Sequence, residues 1–485
     1  MIPQINLPDP ERATAPNLPD NRWNLSKREN WDTPRKLIGM AAAVVLATIC
    51  LFFSIGNAIS ECKNAVKSIG KDCAPSIVAA QQIAASLADF DANTTNELIC
   101  EPGSKDMNTA MATVQQRHKE ITSNLVKAAE NITFGDNERV PINTIADNLG
   151  KYETTMEEAK ILLQTGHKDQ AVKTGRIASD LMQNVLLPAA GKLDKANRSV
   201  LDTTYESHRN VDAVCLALVL ASGIVLLAML AYAQYFTFRK TNRILNPGLA
   251  VASAIAISLT GYAAYTLMTT NEIVRSAVKD AFDSVYFLWH ARAIAYDANG
   301  DETRWLYDRE NANRYADSFF AKSKSLAEFQ SRILTDLPEN VSSKSLADMA
   351  NGKDPEAADF KGYLADELKN ITFPGELEAA TATLEYYREY LQADKKIRAL
   401  EEEGRHAEAI RFCLSYEEGG SNFLFGKFDD ALGQTLGINQ KAFDEYIVTA
   451  FQRLDPFTYI TPIAILLIAA SAIFGFWERI KEYSV

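Results

Sequence analysis

The sequence predicts an all-α integral membrane protein with four transmembrane helices and two extracytoplasmic helical bundles related by internal duplication. Three observations carry this. The 485 residues are 23% charged and 47% hydrophobic, with a mean hydropathy of -0.14. Yet four windows, 37–60, 213–238, 244–271 and 456–477, contain no Asp, Glu, Lys or Arg. Each is long enough to cross a bilayer core of roughly 30 Å as a helix. Second, the polar segments follow a three-four apolar spacing, and no stretch alternates convincingly with period two. Third, short motifs of the first polar segment return in order in the second. This partition excludes a soluble enzyme, a nucleic-acid binder and a compact all-membrane channel.

Taken in order, residues 1–36 are a polar tail rich in Pro, Asn and Asp, expected to be disordered and cytoplasmic. Spans follow at 37–60, 212–238, 247–271 and 456–477. Lys27, Arg28, Arg35 and Lys36 precede the first span. Arg239, Lys240 and Arg243 fill the loop 239–246, and Arg479 and Lys481 lie in the tail 478–485. The excess of Lys and Arg puts both termini and that loop in the cytoplasm of a plasma (inner) membrane protein. Segments 61–211 and 272–455 then lie outside. In the first, Ala80, Ile83, Leu87, Phe90, Thr94 and Leu98 form a helical seam. Tyr286, Trp289, Ala293 and Tyr296 take the equivalent places in the second. Further helices are expected at 104–132, 139–165 and 168–210, the last kinked at Pro188. Each segment is read as an antiparallel four-helix bundle.

The repeats define the duplication. Asp91-Ala92-Asn93 returns as Asp297-Ala298-Asn299, and Asn131-Ile132-Thr133-Phe134 as Asn370-Ile371-Thr372-Phe373. Gly166 and Ala171 return as Gly404 and Ala409. The offset grows from 206 to 239, so the second copy carries about 33 extra residues, read as a loop with a short helix near 335–368.

Chemistry has little support. His118, His167, His208, His290 and His406 show no ligand spacing. No phosphate loop, nucleophile elbow or kinase signature occurs. Neither catalysis, a metal nor a cofactor is expected. Cys62 and Cys73 are the favoured disulfide, closing a turn after the first span; Cys62 with Cys100, or no bridge, stays open. The first outer segment has 17 basic and 20 acidic residues; the second has 22 and 34, a net of -12 that disfavours nucleic acid. The candidate ligand- or partner-binding residues flank the repeated seams: Asp91, Asn93 and Glu97 in the first segment, Trp289, Arg292, Asp297, Asn299, Asp301 and Glu302 in the second. Such residues either recognise a partner or fix helix register by hydrogen bonding.

Three segments carry a resemblance. They are Ser86-Leu87-Ala88-Asp89-Phe90-Asp91-Ala92-Asn93-Thr94 with Glu101-Pro102-Gly103, Ala178-Ser179-Asp180-Leu181-Met182 running to Leu187-Pro188-Ala189-Ala190, and Ala291-Arg292-Ala293 with Asp301-Glu302. They resemble motifs of the GlnX-like four-pass membrane signalling proteins of actinobacteria. The resemblance implies a relay of amino-acid availability, with an extracytoplasmic solute-binding lipoprotein as input and a cytoplasmic Ser/Thr kinase, protein kinase G, as output. The 33-residue insertion and the outer cysteines depart from that pattern. The bundles are also similar to the four-helix sensor domains of chemoreceptors. The expected function is therefore a transmembrane sensor-relay. An assembly subunit of a larger membrane complex and direct small-molecule sensing are the alternatives, and association of copies into a homo-oligomer stays open.

Overall fold

The computed structural model describes residues 22–132, 135–241, 245–338, 341–352 and 354–482. Most of the N-terminal tail, Thr133 and Phe134 of the repeated motif, and parts of the 239–246 loop and the C-terminal tail lie outside the described residues. The chain is 89% helical. Its helices are α1 (Arg22–Lys67), α2 (Ala74–Ile99), α3 (Lys105–Glu130), α4 (Asp136–Gln164), α5 (Lys168–Leu181), α6 (Leu187–Thr241), α7 (Pro247–Arg275), α8 (Asp283–Tyr307) and α9 (Ala312–Leu326). After them come α10 (Ser343–Asn351), α11 (Tyr363–Lys369), α12 (Glu376–Glu402), α13 (His406–Leu414), α14 (Ser421–Leu454) and α15 (Phe457–Lys481).

Four continuous helical rods, Thr33–Ile99, Lys168–Lys240, Pro247–Tyr307 and Ser421–Lys481, are long and apolar enough to cross a membrane. This is the architecture of a multi-pass membrane protein. The chain divides into two compact units. One gathers 1–57, 215–264 and 457–485; the other gathers 58–214 and 265–456.

In the apolar unit the helices approach through small residues. A Cβ on Gly248 of α7 would lie 2.7 Å from Gly475 Cα and 2.5 Å from Ser471 O of α15. The Asn246 amide donates to Gly475 O at 2.8 Å. Large side chains such as Phe53, Ile224, Tyr459 and Leu466 are exposed. On a soluble surface that would be costly, but it suits contact with lipid.

In the polar unit the first segment builds one core from four rods: α2, α3, α4 and α5 continued by α6. All six residues of the expected seam, Ala80 through Leu98, are buried. The expected turn after the first apolar window is absent. α1 passes into α2 through a π turn at Ser68–Cys73, so Cys62 and Cys73 sit on one rod, and no disulfide joins them. Eleven residues of helix span about 16 Å, more than twice the Cα separation a disulfide tolerates. A second π turn, Met182–Leu186, precedes Pro188. The wider turn absorbs the missing backbone donor and the ring clash that proline would force on a regular helix.

The second segment shares local features with the first. A π turn at Ser276–Phe282 precedes α8, as one precedes α2. Gly404, at φ +74°, ends α12 as Gly166, at φ +84°, ends α4. The Asn370 amide reaches back to the end of that π turn, donating to Lys279 O, Asp280 O and Ser284 Oγ. Asn131 likewise reaches back to Ser76 Oγ. The expected seam on α8 needs adjustment, because Tyr286 and Ala293 are only half-buried. The covered face runs through Val285, Leu288, Trp289, Ala295, Tyr296 and Ala298, since α8 packs on α2, α9, α11 and α14.

The stretch 312–369, which includes the loop and short helix expected near 335–368, is more structured than that reading. It holds α9, α10, α11 and a three-stranded antiparallel sheet, with Glu328–Phe329 paired to both Arg332–Ile333 and Phe360–Lys361. Gln330 and Ser331, both at positive φ, make its two-residue turn. Two-residue strands are too short to leave a period-two signal.

Candidate functional site

The site is built where α2 and α8 run side by side. Their contacts keep a near-constant offset, Gln81 with His290 and Asn96 with Thr303, so the two helices point the same way. The repeated aspartates come together there. Arg304 of α8, 3% exposed, donates through Nη1 to Asp91 Oδ2 at 2.5 Å. Its Nη2 reaches Asp297 Oδ1 at 3.2 Å and Asp301 Oδ1 at 2.7 Å. Tyr152 of α4 donates to the other Asp91 oxygen at 2.7 Å. Lys322 of α9 bonds Asp297 and Asp301, each at 2.6 Å. Gln183 in the second π turn donates to Asp297 at 2.6 Å. Three carboxylates thus share two cations, and five helical elements meet at one buried network. Burial pushes the Asp301 carboxyl up, but Arg304 and Lys322 outweigh it and hold it below the usual range.

On the neighbouring face of α2 a second network begins. Arg117 of α3 donates through Nε to Asp89 at 2.5 Å, through Nη1 to Glu120 at 2.6 Å and through Nη2 to the Tyr296 hydroxyl at 3.1 Å. The Tyr296 hydroxyl donates to Asp429 of α14 at 2.8 Å, and Arg292 grips the same carboxylate with two bonds of 2.7 and 2.6 Å. Asn93 donates to Asp89 at 2.7 Å and accepts from the Tyr416 hydroxyl at 2.7 Å. Burial raises Asp89 to about 6, with Arg117 opposing.

Beside this network lies a cleft of about 450 Å³, within the range of small-molecule sites. Four cations line it, Arg117, Lys119, Lys127 and Arg292, against one carboxylate, Glu120. Trp289 and Tyr296 supply aromatic wall, with the Arg292 guanidinium 5.4 Å from the Trp289 ring. The Trp289 indole N–H has no acceptor among the described residues. Lys119 and Lys127 form no ion pair among the described residues. Arg117 and Arg292 are already paired with Asp89, Glu120 and Asp429, so the charge open to an anionic, partly apolar solute is that of the two lysines. A neighbouring groove of about 440 Å³ is less suited. There His118 pairs with Glu153 and Lys160 with Glu157, and Lys119, shared with the first cleft, is the lining cation left without an ion pair among the described residues.

The sequence-derived candidates therefore separate. Trp289 and Arg292 line the cleft. Asp91, Asp297 and Asp301 form the ion network, while Asn93 links Asp89 to Tyr416. Glu97 pairs with Lys160 at 2.8 Å, outside both. Asn299 donates to Asn422 at 3.3 Å. Glu302, fully buried, accepts from Ser421 at 3.0 Å and from the Cys413 thiol at 3.5 Å. Burial and the nearby Asp394 push it up to about 8. Sequence reasoning missed Arg304, Lys322, Arg117, Lys119, Lys127 and Asp429. Only Arg304 left a local signal, three and seven residues beyond Asp301 and Asp297 on the same helix face.

Comparison with known families gives this geometry a class. Residues 65–206 match the family model of the actinobacterial sensor domain. That segment covers α2 to α5 and the first part of α6, including the first core and Asp89, Asp91 and Arg117. No curated protein and no solved structure matches the chain.

Proposed function

We propose that the chain is a transmembrane sensor that passes an extracytoplasmic amino-acid signal to a cytoplasmic Ser/Thr kinase. The observation that carries this is the cationic cleft beside Trp289, opening between α2 and α3 of the sensor-type segment and α8 of the second. A carboxylate-bearing amino acid there would find the Lys119 and Lys127 ammonium groups and an aromatic wall. The Arg304 network lies on the same pair of helices. A ligand that prefers one packing of α2 against α8 would shift their relative position, and each helix continues into an apolar rod. In this reading the polar unit lies outside, the Lys- and Arg-rich ends lie in the cytoplasm, and the two polar segments arose by duplication. A solute-binding protein delivers the signal, and the kinase docks on the cytoplasmic segments.

The test uses the full chain in detergent. With the other four tryptophans replaced by phenylalanine, titration with a panel of amino acids should quench Trp289 fluorescence for at least one member, and Arg292→Gln should abolish the response. Purification from native membranes should bring down a solute-binding lipoprotein or a Ser/Thr kinase. If no amino acid binds and neither class of partner is recovered, the proposal fails. In that case deletion should disturb a membrane assembly without altering nutrient-dependent phosphorylation.

A further inference from the structure

Three residues that the cleft and the ion networks do not use meet elsewhere in the polar unit. Cys62 lies on α1, two positions beyond the uncharged window 37–60. His208 and Asp212 lie one turn apart on α6, just ahead of the window 213–238. All three are buried. Their ligand atoms, a thiol sulfur, a ring nitrogen and a carboxylate oxygen, lie within 4.8 Å of one another.

The polar bookkeeping at this spot is unusual. His208 is 5% exposed and Asp212 6%. His208 Nε2 and Asp212 Oδ2 stand 3.1 Å apart. Nevertheless, among the described residues, Nε2 and both Asp212 oxygens have no hydrogen-bond partner. The two groups are close but not aligned for a hydrogen bond with each other. Buried polar atoms left in this way call for a bound species. Zinc–ligand bonds of roughly 2.0–2.3 Å put tetrahedral ligand atoms roughly 3.3–3.7 Å apart; His208 and Asp212 stand at 3.1 Å and all three ligand atoms within 4.8 Å, so small side-chain shifts would bring them to that spacing. A His–Asp hydrogen bond gained by small rotation would still leave the second Asp212 oxygen unsatisfied.

We propose that Cys62, His208 and Asp212 bind a divalent transition-metal ion of the zinc type. Thiolate with imidazole selects such an ion over calcium or magnesium, which require oxygen ligands. Three protein ligands leave a fourth position for water, the pattern of an exchangeable site. The ion's two positive charges balance thiolate and carboxylate, and binding releases the thiol proton. In the fold the ion staples α1 to α6 where each leaves the polar unit for an uncharged window. Metal occupancy would therefore fix the spacing of the first helical pair.

Cobalt(II) is the probe. The full chain in detergent, stripped by chelator, should develop the visible bands of tetrahedral cobalt and the near-ultraviolet thiolate-to-cobalt charge-transfer band, saturating at a single ion per chain. Zinc should displace both. Cys62→Ser should remove the charge-transfer band, and His208→Gln and Asp212→Asn should each weaken cobalt binding at least about tenfold, while Cys73→Ser and Cys413→Ser retain the spectrum. Helical circular dichroism establishes that each variant is folded, and the wild-type spectrum decides the matter even where a variant is not. A wild-type chain without the charge-transfer band, or a band that survives Cys62→Ser, overturns the proposal. Amino-acid binding at the cleft is read separately by Trp289 fluorescence, so the two readings fail independently.

Discussion

The carboxylate of Asp91 meets the guanidinium of Arg304 at 2.5 Å, across 213 positions of sequence. Both side chains are almost wholly buried. Arg304 also binds Asp297, the counterpart of Asp91 in the repeated triplet. One cation thus ties the sensor-type segment to the second segment, at the helix pair that walls the cleft. A desolvated ion pair contributes little net stability compared with an apolar contact, but it is costly to break because it leaves an uncompensated charge. Its value here is positional: it permits few arrangements of α2 against α8.

Removing the cation should therefore hurt more than its net contribution suggests. Arg304→Met leaves Asp91, Asp297 and Asp301 with Lys322 alone. We expect a loss of about 3–5 kcal/mol, read as a large fall in thermal midpoint by circular dichroism of the full chain in detergent. Asp91→Asn in the same background should cost less than it does in the wild type, since the repulsion it relieves exists only once Arg304 is gone. Additive losses would mean that the two residues do not interact.

Glu302 makes a pH prediction. Its carboxyl titrates at about 8 in the fold, against 4.5 ordinarily. Between those values the folded chain holds a proton that the unfolded chain releases. Its contribution to stability is thus complete below about 4.5 and is lost as pH rises toward 8. Glu302→Gln keeps an acceptor for Ser421 and Cys413 but cannot ionise. The variant should show a flatter stability profile between pH 6 and 8 than the wild type. Parallel profiles would show that Glu302 does not carry the proton.

Much of the helical layout was legible in the sequence because it is local. The uncharged windows, the apolar seam of α2 and the glycines ending α4 and α12 are written within a few residues. The pairing of α2 with α8 was not, since Asp91 and Arg304 are brought together only by tertiary packing. The repeated Asp-Ala-Asn marked two of the three carboxylates, but nothing near Asp91 announced its cation. The cleft was half visible: Trp289 and Arg292 flank a seam, whereas Lys119 and Lys127 read as ordinary solvated residues of α3. Cys62 and Cys73 misled for a related reason. Their spacing suits a turn, and only the uninterrupted rod through the first π turn separates them.

The cleft predicts a charge dependence of binding. Lys127→Ala removes an exposed cation at its rim, where a screened contact is worth up to ~1 kcal/mol, about fivefold in affinity. Trp289 fluorescence titration should show that weakening for a carboxylate-bearing amino acid. The difference between wild type and variant should shrink at high salt. An uncharged carboxamide of similar size should bind both proteins alike. Equal affinities of wild type and variant for the amino acid, at low salt, would place the solute elsewhere.

The last prediction concerns helix contact in the apolar unit. Gly248 lies against Ser471 O and Gly475, where any side chain would strike backbone. Gly261, on the same helix, has open space at its Cβ position. Without a hydrophobic drive between helices in lipid, such close approach is what packing attraction requires. Gly248→Leu should therefore separate α7 from α15 and break the Asn246–Gly475 hydrogen bond, while Gly261→Leu should be tolerated. Thermal unfolding of the full chain in detergent reads this: the midpoint should fall in Gly248→Leu and stay at the parent value in Gly261→Leu. An unchanged midpoint in Gly248→Leu would show that the glycine contact does not hold the two helices together.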